Sequence, residues 1–410
     1  MKVLAYTAVG RGHLYPMMPL LLELRARGHV VHVRTIASEV HTLASFGLDA
    51  SALDPRIESV PSDDASATNP VQAFAHGMEM FARRAVFEAP DLDAAVAAYS
   101  PDLLVVDANA WGAMAGAEAC RLPWACFSAS PIPIRSPGLP PFGPGLAPAR
   151  GISGRARDVL VGAALDALAR RIAGPRINAT RTSVGLPALT DPDDFYRRPP
   201  VLLVATAEPF EYPHPDVPNL VYLGACEWDP PTAQPPWLGA IDRPIVLVTT
   251  SSDPQRDEVL VRHLLAAMAG TGLHVVATMP AGVPSDLVVP PDATVVRFAP
   301  HGSILDRASV AVTHGGMGAT QKALARGVPT VAVPFGRDQL EVARRLELAR
   351  AGIRLPSRIA RHPRRGPRAL RAAVRAAGSM TAGARAVADG YLATGGASTG
   401  ADVIEAAARR

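Results

Sequence analysis

The residues best suited to chemistry in this sequence are two histidines, each placed in a turn that follows an apolar run. One is His314, which opens the stretch HGGMGAT after the apolar run Val310–Thr313. A strand, a glycine-rich turn and a helix N-terminus together form an anion site, because unbonded N–H groups point outward and glycine lets a phosphate come close. We therefore predict a diphosphate site at this turn, although a glycine-rich turn used only for tight packing has the same pattern.

A second polar turn, Thr249–Ser252, follows the predicted strand Ile245–Thr249 and suits the same diphosphate. It is alternatively a simple polar turn, and Thr320 alternatively closes the first helical turn. The predicted diphosphate ligands are Ser251, Ser252, His314, Gly315, Gly316, Gly318, Ala319 and Thr320.

A polar corner follows the next predicted strand, Thr330–Val333. Open α/β sheets bind ligands beyond the carboxyl ends of their strands. Asp338 and Gln339 lie at such an end and suit the hydroxyl groups of a sugar. Because two strand ends converge here, we favour a ligand site over a packing turn.

The other histidine, His13, follows the first predicted strand, Lys2–Thr7. We predict a turn over Ala8–His13 and a helix from about Tyr15 to Arg27. A dinucleotide fingerprint requires glycine where Tyr15 stands, so the turn presents a side chain instead of a pyrophosphate site. An imidazole with a pKa near 6.5 suits general-base catalysis at neutral pH.

A carboxylate that orients this imidazole is predicted at Asp107, the end of the strand Leu103–Val106. Parallel strands end at the same edge of a sheet, and a carboxylate there holds the tautomer and stabilises the cation. Taken singly, Asp107 is more simply a helix cap and His13 a turn residue. Taken as a pair, they favour a catalytic dyad.

The elements that position these residues alternate between strand and helix in both halves, which predicts parallel α/β sheets. We place an N-terminal Rossmann-like domain at 1–207, a proline-rich linker at 208–244, a second Rossmann-like domain at 245–395 and a last helix at 396–410. The Pro/Gly-rich segment 129–151 is predicted to be a long irregular loop, which in a compact domain is usually functional or mobile.

An apolar binding pocket is predicted in the N-terminal half, beside a helix over 73–99. Its lining residues are Met78, Phe81, Phe87 and Trp111, together with the loop 131–150. Core packing is the alternative for these side chains.

Composition limits the remaining functions of this 410-residue chain, which is long enough for two or three domains. The Arg-rich segment 350–385 contains no acidic residue, but few aromatic residues accompany it, so we favour a solvated helical face over nucleic-acid or membrane binding. No run is long enough to span a membrane, and no signal peptide is evident. The three cysteines show neither metal nor disulfide spacing, which fits a cytoplasmic protein.

These motifs resemble the donor-binding signature of nucleotide-sugar glycosyltransferases of the GT-B fold. The resemblance rests on His-x-Gly-x-Gly-x-Thr from His314, then Gly-Val-Pro, a strand and Asp338-Gln339. The chain looks closest to actinobacterial enzymes that transfer deoxysugars to polyketides, macrolides and enediynes. Gly-His-x-x-Pro at His13 and Pro-Asp-Leu-x-x-x-Asp ending at Asp107 match the family's base and its carboxylate partner.

The resemblance implies further roles. Phe298, Ala299 and His301 stand where relatives hold the base and ribose. Lys322 replaces an acidic residue that binds ribose hydroxyls in many relatives; lysine cannot accept from a hydroxyl, which favours a dTDP-sugar over a UDP-sugar. The last helix is expected to pack against the N-terminal domain.

The resulting prediction is an inverting, metal-independent O-glycosyltransferase that uses a dTDP-sugar and no cofactor. Its expected partners are the nucleotide sugar and a hydrophobic small-molecule acceptor, with no nucleic acid and no membrane, and the chain is expected to be a monomer or homodimer. The alternatives are a nucleotide-sugar epimerase of the same fold and a non-catalytic partner of a transferase.

Overall fold

Two parallel β-sheets, one in each half of the chain, organise the fold. The computed structural model describes residues 1–62, 67, 69–230, 232–252 and 255–409. Pro231 of the predicted linker and Arg410 of the predicted last helix lie outside these ranges. The first sheet has seven strands and the second has six, and the strand pairs of both run parallel. The predicted α/β class is confirmed.

The first sheet has the order β3-β2-β1-β4-β5-β6-β7. Its strands are β1 (Lys2–Tyr6), β2 (Val30–Thr35), β3 (Asp49–Ala52), β4 (Leu103–Asp107), β5 (Trp124–Ser128), β6 (Leu202–Val204) and β7 (Leu220–Tyr222). The central strands β1, β4 and β5 are apolar and almost wholly buried, as expected for a sheet covered on both faces. Tyr6 pairs with Val106, so β1 and β4 end side by side.

The helices of this half lie between those strands. They are α1 (Arg11–Ala26), α2 (Val40–Ser45) after a 3₁₀ turn at Ala37–Glu39, α3 (Pro55–Glu58), α4 (Pro70–Tyr99), α5 (Trp111–Ala119), α6 (Gly151–Ser183) and α7 (Asp194–Arg197).

Helix α1 begins earlier than we predicted. It starts at Arg11 instead of Tyr15 and contains Pro16 and Pro19. The backbone N–H of Leu14 already donates to the carbonyl of Gly10. Burial of its apolar face outweighs the hydrogen bonds that two prolines remove. His13 therefore lies in the first turn of a helix and not in a loop.

The second sheet has the order β10-β9-β8-β11-β12-β13. Its strands are β8 (Ile245–Thr249), β9 (His274–Thr278), β10 (Ala293–Val296), β11 (Ala308–Thr313), β12 (Thr330–Ala332) and β13 (Gly352–Arg354). The remaining helices are α8 (Pro236–Gly239), α9 (Glu258–Met268), α10 (His301–Leu305), α11 (Met317–Ala325), α12 (Gln339–Leu348), α13 (Ser357–Ala360), α14 (Arg365–Ala377), α15 (Thr381–Ala393) and α16 (Gly396–Ala408).

The proline-rich segment 208–244 is more structured than a linker. Strand β7 lies within it and forms an edge of the first sheet by pairing with β6. Its three residues are only half-buried, and closely spaced prolines surround them. Because a short edge strand tolerates such neighbours, composition alone hid it.

The last helix, α16, packs on the first half of the chain. Ala401 and Ile404 belong to the hydrophobic core beneath the first sheet. On the rim of this contact, Arg27 pairs with Asp402 at 2.5 Å, and Nε2 of His29 lies 3.0 Å from the Glu405 carboxylate. The chain thus crosses back from the second half to the first.

Across the residues that the structure describes, no helix combines the length and the apolar character needed to cross a membrane. The same part of the chain shows no group of three or more His, Cys, Asp or Glu side chains arranged to hold a metal ion.

Candidate active site

The two residues predicted as a catalytic pair are in contact. Nδ1 of His13 lies 3.1 Å from Oδ2 of Asp107, and the backbone N–H of Asn109 donates to the other oxygen, Oδ1, at 2.8 Å. The His13 side chain is 26% exposed, whereas Asp107 is 1% exposed. An Nδ1–H tautomer that donates to Asp107 leaves the lone pair on Nε2, which is the arrangement a general base needs.

The electrostatic environment favours the protonated form of His13. Burial lowers the pKa of the imidazole, but the charge and hydrogen bond of Asp107 and the charge of Asp338 raise it by more. The pKa of His13 is therefore raised above its usual value. Arg84 opposes this rise. An imidazole in this setting accepts a proton more readily than an isolated histidine does.

A second acid, Glu88 on α4, lies behind the pair. Burial raises its pKa to about 8, and the charge of Asp107 adds to the rise. The backbone N–H of Gly112, at the start of α5, donates to Oε2 of Glu88 at 2.8 Å. A Glu88 side chain that is largely protonated at neutral pH leaves Asp107 as the charged partner of His13.

The carboxyl ends of the two sheets face each other. His13 comes from the edge of the first sheet and Asp338 from the edge of the second, yet each shifts the pKa of the other. The side-chain amide of Gln321 on α11 donates to the carbonyl of Ala205, after β6, at 2.7 Å. The predicted base and the predicted sugar-binding acid therefore lie on opposite walls of one cleft.

The glycine-rich turn after β11 has the geometry expected of an anion site. The His314 ring lies over Gly316 so closely that a Cβ there would be 2.2 Å from its Nε2, so a larger residue would have to displace the ring. Helix α11 starts directly afterwards at Met317, and the N–H groups of its first turn have no partner within the helix. His314 Nδ1 lies 4.0 Å from the Asp257 carboxylate.

Two of the predicted diphosphate ligands are already engaged within the protein. Thr320 is fully buried, with its hydroxyl 3.3 Å from that of Thr313, and its N–H bonds the Gly316 carbonyl at 3.1 Å. The N–H of Ser251 donates to Asp257 at 2.7 Å, while its neighbour Ser252 is exposed. Thr320 therefore closes the first helical turn, which was the alternative to phosphate contact.

Gln339 organises the polar corner. Its Oε1 accepts from the N–H groups of Phe335 and Gly336 at 2.7 and 3.1 Å, and its Nε2 donates to Gln255 at 2.9 Å. Asp338, one residue earlier, is half-buried, and burial raises its pKa. Gln339 thus fixes the turn that presents Asp338 to the cleft.

Lys322 is paired with an acid that the sequence did not suggest. Its ammonium group forms an ion pair with Oδ1 of Asp229, from the proline-rich segment, and Oδ2 of Asp229 accepts from the N–H of Gly302 at 3.0 Å. His301 lies beside them; its Nε2 is 2.9 Å from the Thr278 hydroxyl, and burial together with the charge of Lys322 lowers its pKa to about 4. In the same stretch Phe298 is 55% exposed and Ala299 is buried.

Comparison with known proteins identifies the family. The chain is 32% identical over 391 residues to 4'-demethylrebeccamycin synthase of Lentzea aerocolonigenes, which covers 92% of this chain and 91% of the relative. This chain belongs to the natural-product glycosyltransferases. The glycosyltransferase is also 30% identical over 370 residues to L-demethylnoviosyl transferase of Streptomyces niveus, covering 87% of this chain and 85% of that one.

Two further comparisons agree. Residues 262–399 match the family model described as the C-terminal domain of erythromycin biosynthesis protein CIII-like proteins. The crystal structure of the glycosyltransferase VinC in complex with dTDP superposes with a TM-score of 0.73 at 21% identity, over all of both chains. The predicted GT-B fold is confirmed.

The predicted acceptor residues lie on one side of the first sheet of the glycosyltransferase. Trp111 is buried; its ring centroid is 5.1 Å from that of Phe81, and its Nε1–H donates to the Tyr196 hydroxyl at 3.1 Å. Met78, Phe81 and Phe87 are partly buried against the same core. The side chain of Phe87 also lies under the Arg56 guanidinium.

Sequence reasoning missed three groups that shape the site of the glycosyltransferase: Glu88, Asp229 and the pair Glu341–Arg345. Asp229 lies 93 positions from Lys322, and Glu88 24 from Gly112, so no local spacing links them. Glu341 and Arg345 do have the i, i+4 spacing of a helical ion pair, which was a usable signal.

Proposed function

We propose that this glycosyltransferase is an inverting O-glycosyltransferase that moves a deoxysugar from a dTDP-sugar to a hydroxyl group of a polyketide- or enediyne-type natural product. The observation that carries the proposal is the His13–Asp107 contact, placed across a cleft from Asp338. A non-catalytic partner protein has no need for such a pair. An epimerase needs acid and base carboxylates around its sugar, whereas the base here is an imidazole.

In this mechanism His13 removes the proton of the acceptor hydroxyl through Nε2, while Asp107 holds the ring and stabilises the imidazolium cation. The oxygen attacks the anomeric carbon from the side opposite to the leaving dTDP, so the anomeric configuration inverts. Asp338 holds the sugar hydroxyls from the turn that Gln339 fixes, and Phe298, Ala299 and His301 hold the nucleoside.

The leaving diphosphate gains negative charge as the sugar bond breaks. His314, Ser252 and the N–H groups of Gly316 to Ala319 at the α11 N-terminus stabilise that charge. Such groups can replace a metal ion in this role, so we propose metal-independent transfer. Among the solved structures with the same fold, VinC is in complex with dTDP and SsfS6 is complexed with thymidine diphosphate, which supports the choice of donor.

The proposal is tested by incubating the protein with dTDP-deoxysugars and a panel of polyketide and enediyne aglycones, with product detection by mass spectrometry. Matched UDP-sugar and EDTA reactions test the donor and the metal independence. NMR of the product gives its anomeric configuration. Transfer with retention, or transfer that EDTA abolishes, would contradict the mechanism.

A further inference from the structure

The Pro/Gly-rich loop 131–150 of the first half is tied to the second half by one carboxylate. Oε1 of Glu341, on α12, accepts from the backbone N–H groups of both Gly143 and Gly145, at 2.7 and 2.8 Å. A carboxylate oxygen that accepts two N–H donors forms strong, directional bonds. The loop is therefore held at a defined place on α12.

The same loop approaches α12 more closely than a side chain would permit. Gly145 has a φ of +60°, and a Cβ added there would lie 2.3 Å from the carbonyl oxygen of Leu340. The carbonyl of Gly145 accepts from Arg344 Nε and from Arg354, each at 2.8 Å. The backbone N–H and C=O of this one residue are thus both bound by the second half of the chain.

Glu341 itself is fixed by a buried ion-pair network. Its Oε2 lies 2.8 Å from an Arg345 nitrogen, and Arg345 Nε lies 2.5 Å from Glu211. The three side chains are at most 3% exposed. The Arg345 guanidinium also lies 4.4 Å from the Tyr212 ring centroid. Burial and two acids on one arginine leave Glu341 little freedom to rotate away from the loop.

The position of this network on α12 gives it a link to the chemistry. The helix begins at Gln339, directly after Asp338, whose charge acts on His13. Glu341 is therefore less than one helical turn from the predicted sugar-binding corner. Because Asp338 and Glu341 lie at the same end of α12, a displacement of Asp338 also moves Glu341 and the loop 131–150 that Glu341 binds.

We propose that Glu341 is a positioning residue that sets the acceptor loop 131–150 against the sugar-binding end of α12. The inference rests on the proposed function, because it takes the loop as a wall of the acceptor pocket. The contact keeps the acceptor hydroxyl in line with the donor sugar. Misplacement by about 1 Å can cost roughly a hundredfold in rate, so such a contact has kinetic weight.

The variant that tests the contact is Gly145→Ala, which pushes the loop off the Leu340 carbonyl and leaves no buried charge unpaired. Its matched control is Gly138→Ala in the same loop. Gly138 also has a positive φ, +82°, but a Cβ there meets nothing within 4 Å. Both variants carry the backbone strain of alanine in the left-handed region, and only one collides with α12.

The first readout is hydrogen exchange of the full-length protein, followed by mass spectrometry of peptides that cover the loop. We expect Gly145→Ala to exchange at 143–145 at least about tenfold faster than wild type, since both N–H groups lose Glu341. Gly138→Ala should keep slow exchange at these two positions. Equal exchange in the two variants would overturn the proposed contact.

The second readout separates positioning from general stability. With the acceptor found in the aglycone panel, we expect Gly145→Ala to lower kcat/KM for the acceptor about tenfold or more, mainly through kcat, with dTDP affinity from calorimetry within about twofold of wild type. An unchanged kcat/KM for the acceptor beside fast loop exchange would show that Glu341 holds the loop without positioning the acceptor, and would overturn the inference. Absence of any transfer in wild type would instead refute the proposed function, while the exchange result would still decide the contact.

Discussion

Nδ1 of His13 lies 3.1 Å from Oδ2 of Asp107, although 94 positions separate the two residues in the sequence. The contact follows from strand order. Strands β1 and β4 are neighbours in a parallel sheet, so the residues that follow them meet at one edge. Helix α1 then places His13 in its first turn, over the buried carboxylate.

We expect His13→Ala to lower turnover by about a hundred- to ten-thousandfold, because the reaction loses its base. The affinity for dTDP in a calorimetric titration should stay near that of wild type, since the proposed diphosphate site lies on the other sheet. His41→Ala, at an exposed histidine of the same half, is the matched control. Near-normal turnover of His13→Ala would exclude it as the base.

The pH profile tests the role of Asp107. The net pKa of His13 is raised, so kcat/KM should increase with pH and level off above an apparent pKa higher than the usual value of about 6.5. Asp107→Asn removes the charge that stabilises the imidazolium, so the inflection should move to lower pH and the plateau should fall about a hundredfold or more. An inflection that stays in place would show that Asp107 does not tune His13.

How far the sequence predicts the site depends on the kind of contact. Asp107 ends an apolar strand and His13, His314 and Asp338 come after one, and strand ends of parallel sheets converge by geometry. The Asp229–Lys322 pair depends instead on the path of an irregular proline-rich segment. The spacing of apolar residues along the sequence does not predict the path of an irregular segment.

A second limit of prediction from the sequence is that it does not show which atoms already have hydrogen-bond partners inside the protein. Thr320 and the N–H of Ser251 have the right types and positions for a phosphate, yet internal partners hold them. The same residue types at the same spacing suit either a bound phosphate or an internal hydrogen bond, and only the packing of the folded chain distinguishes the two. The edge strand β7 was missed for a related reason, because three residues between prolines carry too little periodicity to read.

The nucleotide preference follows from the surroundings of Lys322. Both carboxylate oxygens of Asp229 are engaged, one by Lys322 and one by the Gly302 N–H. The Lys322 ammonium cannot accept a hydrogen bond from a ribose 2′-hydroxyl, and each Asp229 oxygen already accepts one bond, so the pair is a poor acceptor and a 2′-deoxyribose loses little there. We expect dTDP to bind more tightly than UDP in parallel calorimetric titrations. Equal or reversed affinities would contradict this account.

Gly318 lies in the first turn of α11, and a Cβ added there would meet no protein atom within 4 Å. Gly318→Val should therefore fold, as circular dichroism can verify. Its side chain would occupy the space where the diphosphate approaches, so we expect dTDP affinity to fall by at least about tenfold. Gly77→Val is the matched control, because Gly77 is a helical glycine with open space in the other half. Comparable dTDP affinity in the two variants would place the diphosphate elsewhere.

Arg345 is a buried charge at the contact between the two halves. It neutralises both Glu211 and Glu341, and all three side chains are nearly inaccessible to water. Arg345→Met keeps much of the side-chain volume but leaves two carboxylates buried beside each other without a cation. Removing one partner of a buried pair typically costs about 3–5 kcal/mol, so we expect a loss of that size in the free energy of unfolding measured with urea.

The control Arg371→Met, at an exposed position of α14, should change the free energy of unfolding by less than about 1 kcal/mol. The added change Glu211→Gln should restore part of the loss, because it removes one of the two unpaired charges. If Arg345→Met were as stable as the Arg371→Met control, the ion-pair network would contribute nothing to stability. Arg345 would then not be the residue that holds Glu341 in place.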